Sequence, residues 1–147
     1  MPTSAENPSS AAQYFPDEVA VALCLYGLTL QPVEITRLLG VEPTHAHLAG
    51  DREDWRSPPH AKGAWIREVR KFEPIDPDAM FEELFRALPE EERVWQELAS
   101  QFEVEVHFAV HTDVGCTFNL SPRTVQLIAA RSAALKLYIQ AYGDNAA

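Results

Sequence analysis

A basic excess is what this chain most plainly lacks: 12 Lys and Arg stand against 22 Asp and Glu, for a formal net charge of -10. Nonspecific nucleic-acid binding needs cationic side chains that neutralise phosphates, so this balance argues against a nucleic-acid partner. Long apolar runs are missing as well. Nowhere do about 18 apolar residues follow one another, the length a membrane-spanning helix requires, and no membrane role is expected. Cysteine is scarce, with 2 in the chain. Cys24 sits in an apolar run and Cys116 beside a turn, and neither belongs to a C-x-x-C pair. Two reduced thiols in the cytoplasm are the expectation, not a disulfide framework. The G-x-S-x-G, H-E-x-x-H, P-loop and dinucleotide fingerprints are absent too, so no catalytic residue and no cofactor is assigned.

What is present is ordinary for a globular domain: 147 residues, 46% hydrophobic and 23% charged. A chain of about 150 residues closes one hydrophobic core. Residues 1–18 (MPTSAENPSSAAQYFPDE) are rich in Ser, Pro and Ala, carry no basic start or apolar stretch, and read as a disordered arm. One domain is expected over 19–142, with 143–147 as a tail.

Val19 to Tyr26 is apolar at nearly every position, as in a strand covered on both faces. Pro32 suits a helix start, with Val33, Ile35, Leu38 and Leu39 as its apolar side and Gly40 as its left-handed stop. Thr44 to Leu48 reads as a strand, Ala49 to Lys62 as a charged loop, and Gly63 to Val69 as the next strand. Asp76-Pro77 opens a helix with Met80, Phe81, Leu84 and Phe85 at helical spacing. After Pro89 a second helix follows, with Glu90, Glu91 and Glu92 at its positive end. Val104, Val106, Phe108 and Val110 alternate with Glu105, His107 and Ala109, the pattern of a half-buried strand. Thr112 to Gly115 reads as a hairpin connection to a return strand over Cys116 to Leu120. Ser121 caps a last helix with Pro122 at its first position and Val125, Ile128 and Ala129 inward. Leu137, Ile139 and Ala141 mark the final strand.

The expected fold class is α+β: a two-layer sandwich, a largely antiparallel sheet with helices on one face, built of ferredoxin-like βαβ units. The start Leu30-Gln31-Pro32 is echoed by Leu120-Ser121-Pro122, which leaves room for a duplication.

The charge is polarised. Residues 73–105 hold eleven acidic side chains against Arg86 and Arg93, whereas 52–71 hold six basic ones against Glu53, Asp54 and Glu68. The acidic part suits either a solvated face or a basic protein partner. On the strand before that loop, His45 and His47 share one face roughly 6.6 Å apart. No fixed third ligand accompanies them, so no metal is assigned. Trp55, in polar surroundings, is the best single contact candidate. Thr44, Asp51, Arg52, Lys62 and Trp65 complete the expected ligand- or partner-binding set, though Trp65 suits a core equally well. Around the hairpin, His111, Asp113 and Cys116 read as turn and core residues more readily than as an activated thiolate.

Three stretches together resemble the bacterial family called domain of unknown function 4279. They are Leu39-Gly40-Val41-Glu42-Pro43-Thr44 with Gly50-Asp51, Lys62-Gly63-Ala64-Trp65, and Leu120-Ser121-Pro122 running on to Leu137-Tyr138-Ile139. The family is named for lacking a known activity, so the resemblance implies shared positions (Gly40, Pro43, Thr44, Gly50, Asp51, Gly63, Trp65 and Ser121) and no catalytic residues. Ser132 stands near the glycine of the family pattern between last helix and last strand.

The functional expectation is a noncatalytic binding or protein-interaction module, of which an immunity-type protein is one form. The alternative is an enzyme or a small-ligand or metal-binding protein using the 44–65 region. A homodimer through a sheet edge is a further option.

Overall fold

The computed structural model describes residues 18–71, 75–112, 115 and 117–141. The expected arm and tail thus lie outside the described residues, apart from Glu18, which already belongs to the first strand. The elements are β1 (Glu18–Gly27), α1 (Pro32–Leu39), β2 (His45–His47), β3 (Gly63–Lys71), α2 (Pro77–Arg86), α3 (Glu92–Gln101), β4 (Glu103–Thr112), α4 (Pro122–Ala130) and β5 (Ala134–Ala141). Three of the four helices start with Pro in their first turn, where the missing N–H costs nothing.

The strands form one sheet in the order β2-β3-β1-β4-β5. β1 pairs antiparallel with β3 and β4, β2 pairs antiparallel with β3, and β5 joins β4 in parallel. The first four strands therefore follow the ferredoxin-like arrangement: β1-α1-β2 is split by β3, and β3-α2-α3-β4 is split by β1. α4 and β5 extend it by one more βαβ step, this time between neighbouring strands. The class is α+β, with the helices layered on one side of the sheet. No helix among the described residues is long and apolar enough to cross a membrane.

The core lies between that layer and the sheet. Val19, Val21, Leu23 and Leu25 of β1 and Val104, Val106, Phe108 and Val110 of β4 meet Phe81, Leu84, Trp95 and Ile35 from the helices. β4 keeps the alternation read from its sequence. Gly40 stops α1 at φ 79°, a left-handed conformation that favours glycine. At Gly63 the constraint is space, because a Cβ there would lie 2.9 Å from the Leu30 carbonyl oxygen.

Three expectations need correction. The return strand over 116–120 does not form at 117–120, and Asp113, Val114 and Cys116 lie outside the described residues. β5 occupies the slot beside β4 that a return strand would need, while Phe118 turns inward, its ring 5.0 Å from Phe108. In α4, Val125 and Ala129 are exposed and Thr124 takes the inward place beside Ile128. Thr124 is drawn in by Asp78, whose Oδ1 accepts from its hydroxyl at 2.7 Å. In α1, Ile35 and Leu39 are buried, but Val33 and Leu38 stay in water.

Candidate functional site

The expected contact residues start at β2. Thr44 enters it by donating its N–H to the Ile66 carbonyl at 2.6 Å and accepting from the Glu68 N–H on Oγ1 at 2.9 Å. β2 is only three residues long, and His45 and His47 point to the face away from the helices, because Ala46 pairs with the helix-side Trp65. The loop then folds back. Asp51 Oδ2 accepts from the Leu48 N–H at 2.9 Å, and the His60 N–H donates to the Asp51 carbonyl at 2.7 Å. His60 is thereby laid on His47, ring centroids 3.6 Å apart and nearly parallel.

An open polar depression results, lined by Thr44, His45, His47, Asp51, Arg52, Glu53 and His60. Five of the eight expected residues meet there. His47 Nδ1 is buried in it without a hydrogen-bond partner, and His60 Nε2 lies 3.6 Å from Glu53 Oε2. Among the described residues no group of three or more His, Cys, Asp or Glu is arranged to hold a metal ion. The other three stand apart. Trp55 is 80% exposed with the Arg56 guanidinium 4.8 Å over its ring. Lys62 pairs with Glu103 at 2.7 Å. Trp65 is wholly buried and donates its Nε1–H to Thr36 Oγ1 at 3.0 Å, so it locks α1 to β3 as part of the core.

Two features escape sequence reasoning. On the open sheet face, His107 Nδ1 lies 3.6 Å from Cys24 Sγ and His107 Nε2 lies 2.8 Å from Glu105 Oε1. Lys136 Nζ continues the chain at 3.3 Å from Glu105 Oε2. Thiol, imidazole and carboxylate in this order are the parts of an activated nucleophile. Cys24 is only 1% exposed, however, and burial pushes its thiol up to about 11. The sulfur is protonated and shielded at neutral pH. Burial also raises Glu105, but the hydrogen bonds from His107 and Lys136 outweigh it and hold the carboxyl below its usual range. The chain is a polar tie across β1, β4 and β5. Strand alternation puts these residues on one face, yet only the register Cys24 to Glu105 brings them together.

The second feature is a groove of ≈390 Å³ between α1 and α3. Ile35, Leu38, Leu98 and Phe102 give it an apolar floor, while Glu34 and Glu97 stand at its sides. Arg37 is tied to Glu34 by an ion pair. Leu28, before α1, and Val33, in its first turn, are exposed. The amphipathic spacing of each helix is legible in sequence, but not that the two leave a channel between them.

No curated protein and no solved structure matches the chain. Over residues 17–142 it matches the family described as Domain of unknown function (DUF4279), and it belongs to that family.

Proposed function

We propose that the domain is a noncatalytic protein-recognition module that receives a basic, amphipathic segment of another protein between α1 and α3. The observation that carries this reading is the groove itself, apolar along its floor, with the carboxylate of Glu97 and the Glu34–Arg37 ion pair at its sides. Such a channel complements a segment with apolar anchors on one face and Lys or Arg on the other. The start of α3 adds carboxylates of the same sign, Glu90, Glu91 and Glu92. A field of that kind raises the association rate of a basic partner and makes it salt-dependent. In its narrower form the partner is a basic toxin domain and the chain an immunity-type protein.

A second reading, a small-ligand site in the polar depression, is favoured by the unpartnered Nδ1 of His47. One experiment separates the two. A photocrosslinking residue at Leu38 captures the partner in the native host; that partner is then remade and titrated against the labelled domain by NMR and stopped flow. Shifts along α1 and α3, an association rate that falls with salt, and at least tenfold weaker binding for Leu38→Asp and Glu97→Lys are expected. A partner that binds both variants like the wild type would sink the proposal. Shifts confined to Thr44 to His60 would transfer the site to the depression.

A further inference from the structure

We propose that β5 is a dimer edge: a second copy of this chain adds its own β5 antiparallel, about a two-fold axis through Leu137. β5 is outermost in the sheet, hydrogen-bonded on one side to β4, and among the described residues no strand pairs with its other side. Among the described residues, the outward N–H and C=O groups of the strand therefore have no strand partner and can take one. The side chains are apolar as well. Leu135, Leu137 and Ile139 are 42%, 61% and 72% exposed. They continue the row Val106, Phe108, Val110 of β4 on the helix side of the sheet. The helical layer stops short of them.

The two edges of the sheet are treated differently. β2 is three residues long and carries two histidines, so it offers little to a passing strand. β5 has eight residues, no proline and one charge, Lys136, which its own Glu105 already pairs. Proteins ordinarily blunt a long apolar edge with charge, proline or a bulge. Among the described residues nothing of that kind guards this one.

A second copy fits this edge for reasons of charge and symmetry. The chain carries -10, yet β5 contains no acidic residue, so it is a surface on which two such molecules can meet without opposing carboxylates. With Leu137 on the axis, Leu135 faces Ile139 of the other copy and Lys136 faces Tyr138. Apolar side chains then meet apolar ones, and the ammonium meets an aromatic ring. No like charges oppose each other. The contact is isologous, so it closes at two copies and does not propagate into a fibre.

Sedimentation equilibrium of the full chain over a concentration series tests this. The expected species at high concentration has twice the chain mass of 16.4 kDa. Leu137→Lys sets two ammonium groups against each other on the axis and is expected to give monomer with unchanged circular dichroism. Independently, in a Cys116→Ser background, Leu137→Cys is expected to form a disulfide-linked dimer under mild oxidation. Ile139→Cys, which faces Leu135, is not. A monomer at every concentration, a dimer that survives Leu137→Lys, or crosslinking at 139 as ready as at 137 would each overturn the proposal. The crosslinking pair decides the matter even if Leu137→Lys does not fold.

Discussion

At Ser132 the backbone adopts φ 55°, in the left-handed region, at the turn between α4 and β5. The resemblance places a glycine near this position, and the turn has the conformation that glycine takes without strain. A non-glycine residue there costs about 1–2 kcal/mol. Ser132→Gly is therefore expected to stabilise the domain by about 1 kcal/mol, raising Tm by about 2–4 °C in thermal unfolding. An unchanged or lower Tm would show that the serine side chain compensates its strain. Cys24 gives a second expectation at this scale. With its thiol pushed up to about 11 by burial and 1% exposed, it should resist alkylation at pH 8 in the folded protein and react on unfolding. Mass spectrometry of a Cys116→Ser variant checks this, and rapid native labelling would contradict it. Arg131 is the residue least legible in the sequence. It is buried, its guanidinium 4.6 Å over Phe85 and 5.6 Å from the Trp95 ring, with Nη1 donating to the Leu127 carbonyl at 3.2 Å. Burial lowers its pKa. Nothing local in the chain distinguishes this arginine from a surface one, because its environment is assembled from α2, α3 and α4.

Among the elements, α2 and α4 are joined by one carboxylate. Asp78, in the first turn of α2, accepts from the Ser121 N–H at 3.0 Å and the Thr124 hydroxyl at 2.7 Å, while Ser121 Oγ accepts from the Thr124 N–H at 3.2 Å. The cap of α4 is thus capped in turn by α2. The Ser121 backbone bond, then the Thr124 bond, holds Asp78 below its usual carboxylate range. A depressed folded pKa contributes stability that is complete above the unfolded value of about 3.9 and is lost as pH falls through the folded value. Asp78→Asn is expected to cost about 1–2 kcal/mol at neutral pH. It should also flatten the decline in stability below about pH 4, so that the two proteins converge in acid. Urea unfolding at a series of pH values measures both. Parallel curves for the two proteins would mean that Asp78 titrates normally. The cap at Ser121 was readable from Ser-Pro followed by an apolar spacing. Its partner in α2, distant along the chain, was not.

At the scale of the molecule, what the sequence disclosed is what neighbouring residues decide together. Pro32, Asp76-Pro77 and Ser121-Pro122 announced helix starts, Gly40 a stop, and the alternation of β4 its two faces, because each rests on steric rules that act within a few residues. Edges and registers rest on other parts of the chain. The alternation of 117–120 suits a return strand, and only the presence of β5 beside β4 denies it the place. Of the candidate site, the strand and loop residues of the depression were legible, since an H-x-H strand next to a charged loop stands out. His60 laid on His47, the groove between α1 and α3, and the tie from Cys24 to Glu105 all depend on how separate elements meet.

The central position of β1 has a consequence for biosynthesis. Val19 pairs with Lys71 on one side and with Val110 on the other. Among the described strands this apolar one is the first to be made, and it cannot be paired on both sides until β4 exists. Such distant closures are slow and leave transient apolar surface open to aggregation. During that interval the apolar run Val19 to Leu25 lacks one of the two strands that cover it.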